Sequence, residues 1–238
     1  MTALSSCGSY PPGAGWTPTA ISSTTWPYVL YCQDMIATRA PVHHEDVARI
    51  LAEVRADALR RQRPRQTGRL AALTVLVGLP ASGKSRVAGE LRRRTGAVVL
   101  ESDALRRLLF TRRSYSAAES QRLFAAIHGV IDELLAEGTS VVLDATNLTE
   151  VERAPLYQIA ERCDAKLILV RVTAPRSLAR RRMTRREATG VGRSEADLQV
   201  YERMRSQLEE VQRQHHVVDT SQDIESALAT IAKEMTGP

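Results

Sequence analysis

Gly78-Leu79-Pro80-Ala81-Ser82-Gly83-Lys84-Ser85 decides how this chain is read. It matches G-x-x-x-x-G-K-[ST], the phosphate-binding P-loop pattern. Gly78 and Gly83 let the backbone turn tightly and approach a phosphate with no Cβ in the way. Backbone N–H groups, those of Ala81, Ser82 and Gly83 among them, then form a cradle for anionic oxygens, backed by the positive end of the following helix. Lys84 places an ammonium on the β- and γ-phosphates of a nucleotide, and the Ser85 hydroxyl is placed to ligate the Mg²⁺ bridging them. The flanks agree. Leu73 to Val77 is an apolar, β-branched-rich run that reads as a buried parallel strand. Arg86 to Arg94 reads as a helix with Val87, Ala88 and Leu91 on one face.

Beyond the loop, strand and helix patterns alternate to the end of the chain. Strands are expected at 97–100, at 140–143 ending in Asp144, at 166–172 and at 217–218. Helices are expected at 104–109, 116–137, 150–163, 175–186, 195–213 and 223–235, with a glycine-containing connection at 187–194 that carries Gly190 and Gly192. Repeated βα units predict an α/β fold, a three-layer sandwich around a parallel sheet of about five strands. Ligands in such sheets bind at the C-terminal strand ends.

Ahead of this core, residues 1–40 are rich in Ser, Thr, Pro and Gly and lack sustained periodicity, which reads as a disordered tail. From 43 to 63, Val47, Ile50, Leu51, Val54, Ala58 and Leu59 recur at helical spacing before Pro64 and Gly68 end the arm. His43-His44 has no third ligand at helical spacing and reads as a solvated helix start. The expected division is an extension over 1–66 and a P-loop domain over 67–238, so a chain starting near Thr67 should stay folded.

Composition sets wide bounds. Apolar content of 43% and charged content of 25% are ordinary for a globular protein. No apolar run approaches the roughly 18 residues that span a membrane. Cys7, Cys32 and Cys163 are scattered and odd in number, which predicts a reducing cytoplasm and neither a disulfide framework nor a metal site. Of 33 basic residues only Lys84, Lys166 and Lys233 are lysines. The net charge of +6 suits anionic ligands such as nucleotides or nucleic acid.

Three further features fall where the sheet should expose its ligand edge. Asp103 follows the second strand. A carboxylate there could accept a proton from an attacking hydroxyl, or Ser102-Asp103 could simply cap the helix from Ala104. Asp144 ends the third strand in the manner of a carboxylate that holds Mg²⁺ or its water, with turn-making as the alternative. Asn147 lies just beyond. The arginine run Arg180, Arg181, Arg182, Arg185 and Arg186 could be a solvated helix face. Arg181 and Arg185, four apart, could also be delivered together over a triphosphate.

Taken together, Gly78–Ser85, Ser102-Asp103-Ala104-Leu105-Arg106, Asp144-Ala145-Thr146-Asn147-Leu148 and the arginine segment resemble P-loop kinases of the polynucleotide-kinase and zeta toxin-like group. The likeness covers roughly Leu70 to Met235. It implies that Asp103 is the general base, that Arg106 grips the acceptor through a phosphate beside its hydroxyl, and that Asp144 organises the acceptor site. Arg181 and Arg185 resemble lid arginines on the ATP phosphates. Val218-Asp219-Thr220-Ser221 resembles the loop beside the adenine. The implied activity is Mg²⁺- and ATP-dependent phosphorylation of a hydroxyl. The first expectation is the 5′-hydroxyl of a nucleic acid. The alternatives are a small-molecule hydroxyl, or a nucleotide-binding module that switches without phosphorylating anything.

Overall fold

The computed structural model describes residues 43–60, 70–189 and 198–237. Within them the chain runs α1 (His44–Arg60), β1 (Ala72–Val77), α2 (Lys84–Thr95), β2 (Val98–Glu101), α3 (Ser102–Leu109) and α4 (Ala117–Ala136). It continues through β3 (Val141–Asp144), α5 (Glu150–Arg162), β4 (Lys166–Thr173), α6 (Arg176–Thr189), α7 (Leu198–Gln207), β5 (His216–Asp219) and α8 (Glu225–Thr236). The expected tail over 1–40, the breakers Pro64 and Gly68, residues 190–194 of the expected connection and 195–197 of the helix expected after it lie outside the described residues.

All five strands pair in parallel, in the order β2-β3-β1-β4-β5. Every residue of β1 is buried, because a parallel strand at the sheet centre is covered on both faces. Alternation divides its side chains: Leu73, Val75 and Val77 join one core cluster, Ala72 and Leu76 the other. The first cluster is completed by α4 and α5, the second by α2 and α8, which gives the expected three layers. After β1 the chain first moves to one side of the sheet and later to the other. The P-loop therefore lies at the topological switch point, where a crevice opens at the carboxyl ends of the strands.

Two expectations are corrected. First, α1 is part of the core. Val47, Ile50 and Leu51 are buried in the same cluster as β1 and α4, and the Asp46 carboxylate takes two hydrogen bonds from Arg122 of α4, at 2.6 and 2.9 Å. A chain starting at Thr67 would expose that face of α4. It is expected to be insoluble or to melt far below the full chain. Within the full chain, Ile50→Ala should cost about 2–5 kcal/mol in urea unfolding; an unchanged midpoint would mean that α1 is only an attachment. Second, the helix expected over 195–213 ends at Gln207. The backbone then turns so that Glu209 N donates to Leu148 O at 3.0 Å. The strap 208–211 is thus tied to the segment that follows β3.

Candidate functional site

The P-loop closes between β1 and α2. Gly83 has φ 103, in the left-handed region, and a Cβ there would lie 2.8 Å from Thr220 Cγ2. At Gly78 a Cβ would meet Val172 O at 2.4 Å. Both glycines are therefore required by neighbouring segments packed against the loop, the Val172 backbone at Gly78 and the Thr220 side chain at Gly83, and not only by an approaching phosphate. Ala81 also has a left-handed φ, of 59. Left-handed residues within such a turn gather N–H groups into an anion-binding concavity, and α2 adds its N-terminal partial charge.

Lys84 opens α2 and is buried. Its Nζ donates to Gly78 O and to Leu79 O, each at 2.9 Å, so the ammonium lies folded against the loop. Ser85 is exposed one residue on. Ser82 Oγ is buried with no hydrogen-bond partner. Concave N–H groups, an ammonium, an accessible hydroxyl and an orphan buried hydroxyl together fit a polyphosphate with its magnesium. No group of three or more His, Cys, Asp or Glu side chains among the described residues could hold a metal ion by itself. A P-loop magnesium does not need one, because phosphate oxygens and water supply most of its ligands.

Beside the loop, β2 and β3 bring their carboxylates to one edge, with Glu101 and Asp144 in register. Asp144 is buried at its strand end. The helix after β2 begins at Ser102, with Glu101 as its N-cap and no side-chain cap hydrogen bond. Asp103 thus sits inside the first turn and does not cap it. Burial pushes its carboxyl above the ordinary aspartate range, and the neighbouring Glu101 charge adds to the rise. Arg107, Arg106 and Lys84 pull the other way.

The loop after β3 is stapled to the base of the P-loop. Gly78 N donates to Thr146 O at 3.0 Å. Asn147, with φ 46, donates from Nδ2 to Leu76 O at 2.7 Å. This gives Asn147 a place that its sequence position did not reveal. Arg153, fully buried, donates to Asn147 O and Leu148 O, each at 2.9 Å, to Glu150 at 3.0 Å and to Glu210 O at 3.3 Å. It joins this loop to the strap after α7. Three residues after Glu150 on a helix, it reads in sequence as half of a surface pair, so nothing local announces its burial.

Arg106 is also buried. It forms an ion pair with Glu119, donates to Ser120 Oγ at 3.2 Å and lies 4.8 Å from the centroid of the Tyr115 ring. Burial pushes the Glu119 carboxyl up, but hydrogen bonds from Arg106 and from Ser114 outweigh this and leave it below its ordinary range. In sequence this pair was invisible, because its partners stand on separate helices.

The arginine helix α6 meets the loop through Ala179 and Met183, which cluster with Ala81 and with Tyr201 of α7. Arg182 lies on that same face and hydrogen-bonds the outside of the loop. Arg181 and Arg185 are exposed. With Arg176, Ser177, Arg180 and Thr184 they line an open hollow along α6. Thr220 is buried behind Gly83, and its hydroxyl donates to Ser82 O at 2.6 Å. Among the described residues no helix is long and apolar enough to cross a membrane.

Several solved structures share this architecture. Chaetomium thermophilum Kti12, in complex with ADP-AlF3, overlays with a TM-score of 0.56 at 20% identity, covering 69% of this chain and 100% of that one. Mycobacterium tuberculosis APS kinase CysC, in complex with AMPPNP and APS, overlays with a TM-score of 0.54 at 18% identity, covering 71% and 100%. A gluconokinase from Sinorhizobium meliloti 1021 gives 0.50 at 22%, covering 71% and 97%. No curated protein sequence matches the chain. At these identities the likeness establishes the fold, which is that of P-loop kinases. In sequence, the AAA domain family AAA_33 matches residues 73–211, and with more than half of its length matched the chain belongs to that family.

Proposed function

We propose that the protein transfers the γ-phosphoryl group of ATP to a hydroxyl acceptor. The observation that supports this reading is the sheet edge: β1, which leads into the P-loop and Lys84, pairs with β3, which ends in Asp144, and β3 pairs with β2, which leads into Asp103, whose half-buried carboxyl is held above the ordinary range. In such transfer the protein supplies positioning and charge neutralisation more than covalent chemistry. The N–H groups of Ala81, Gly83 and Lys84 would hold the phosphates, while that of Ser82 stays on Leu79 O, with Lys84 turning from the loop carbonyls onto the β- and γ-oxygens. Ser85 and Asp144 would hold Mg²⁺, which neutralises phosphate charge when bound. Asp103 would take the proton of the attacking hydroxyl, and its raised pKa brings it nearer to the strength a base needs at neutral pH. Thr220 is buried against Gly83, in the segment that the resemblance gives to the adenine. Arg181 and Arg185 would serve as lid arginines only if α6 turned, whereas Arg182 already faces the loop.

The motif resemblance puts the 5′-hydroxyl of a nucleic acid first as acceptor. A small-molecule hydroxyl is favoured by one observation: the arginine that would grip an acceptor phosphate is engaged with Glu119. A direct comparison separates them. If the acceptor is a nucleic acid end, a 3′-phosphorylated nucleoside should be phosphorylated faster than the plain nucleoside. Equal or no use of both, with turnover on small polyols or sugars, would give the site to a small molecule. Arg106→Ala is expected to lower stability by about 3–5 kcal/mol, because it strands a buried carboxylate. An unchanged melting temperature, with only the acceptor KM raised, would show that Arg106 leaves Glu119 and serves the acceptor alone.

A further inference from the structure

Arg182 holds the outside of the phosphate loop at several points. Its Nη1 donates to Ala81 O at 3.1 Å, to Ser82 O at 3.2 Å and to Thr220 Oγ1 at 2.8 Å, and its Nη2 to Thr220 O at 3.1 Å. Thr220 completes the clamp. Its hydroxyl accepts from Arg182 and donates its own hydrogen to Ser82 O at 2.6 Å. Its methyl carbon lies under Gly83.

The consequence follows from peptide geometry. In a trans peptide the C=O and the following N–H point in opposite directions. With Ser82 O drawn outward by Arg182 and Thr220, the Gly83 N–H is turned inward, to the concave side where an anion would lie. The loop also contains Ala81 and Gly83 in left-handed conformations, which persist only where surrounding contacts over-determine them. A planar guanidinium with its fixed fork of donors can hold carbonyls of two segments at once; an ammonium on a flexible stem cannot do so in the same geometry.

We propose that Arg182, together with Thr220, is a positioning residue that fixes the P-loop in its anion-binding conformation before the nucleotide arrives. It thereby ties α6 and the turn after β5 to phosphate affinity. The inference rests on the reading of the loop as an ATP site, and its test separates the two. Titration calorimetry with Mg-ATP, and hydrogen exchange of the ligand-free full chain, would compare wild type with Arg182→Lys and Arg182→Met. ATP affinity should fall at least about tenfold in both variants, the scale of lost charge-assisted hydrogen bonds. Exchange should quicken in the segment 78–85 while β1 and β3 keep their protection.

Unchanged ATP affinity in a folded Arg182→Lys would overturn the proposal. So would exchange that rises equally through β1 and β3, because Arg182 would then support only the fold as a whole. If Arg182→Met does not fold, Arg182→Lys decides; failure of both to fold assigns the residue to global stability and also overturns the proposal. Should wild type not bind ATP, the ATP reading fails. The exchange comparison, which needs no ligand, still decides whether Arg182 holds the loop.

Discussion

Lys84→Ala is expected to lower phosphoryl transfer by at least about 10²–10³-fold, the scale of removing one preorganised donor to transition-state charge. The fold should survive. The loop is anchored independently of the ammonium, through Gly78 N on Thr146 O, Ser82 N on Leu79 O and the Arg182 clamp. The variant should therefore melt within a few degrees of wild type while its turnover disappears. Steady-state rates and a thermal melt on one preparation check both parts. Turnover unchanged by the substitution would remove the enzymatic reading.

Asp103→Asn should reduce kcat by about 10²–10⁴-fold, the usual worth of a general base, and leave ATP affinity within a few-fold. The pH dependence has a definite sign. The folded-state pKa of Asp103 is raised above its ordinary value, chiefly by burial. The activity of wild type should therefore climb as pH rises through that raised pKa, on a limb lying above the ordinary aspartate range. Stability runs the other way: the protonated carboxyl favours the folded state, and that contribution is lost as pH rises through the folded pKa. Asp103→Asn, which cannot ionise, should thus be at least as stable as wild type at neutral pH and lose any advantage below the unfolded pKa. A variant that is both active and less stable at neutral pH would remove Asp103 from the role of base.

How much of this could be read from sequence depends on the range of the interaction. The P-loop, the strand runs and the helix faces are local patterns, and each appears near its expected place. Asp144 falls at its strand end for the same reason. The features that sequence hid are contacts between distant segments. Asp46 meets Arg122 across 76 residues, which makes a helix that reads as an appendage part of the core. Arg106 and Glu119 stand on different helices, so D-x-x-R spacing suggested a shared face with Asp103 but not the buried acid that holds the arginine. In the arginine run, helical spacing alone gave Arg181 and Arg185. Packing of Ala179 and Met183 against the loop turns Arg182 inward instead. No local signal separates adjacent arginines; the burial of their apolar neighbours does.

A site that moves phosphate onto a hydroxyl differs by its product from one that merely binds or hydrolyses a nucleotide. Phosphorus NMR of the full chain with Mg-ATP and a panel of alcohols, plain nucleosides and 3′-phosphorylated nucleosides reads the product directly. The expected result is a new phosphomonoester resonance growing as the γ-resonance is lost, dependent on one acceptor class and absent with Asp103→Asn. Bound ATP that stays intact with every acceptor, or that yields only inorganic phosphate at a rate indifferent to Asp103→Asn, would contradict it and make the protein a nucleotide-dependent switch.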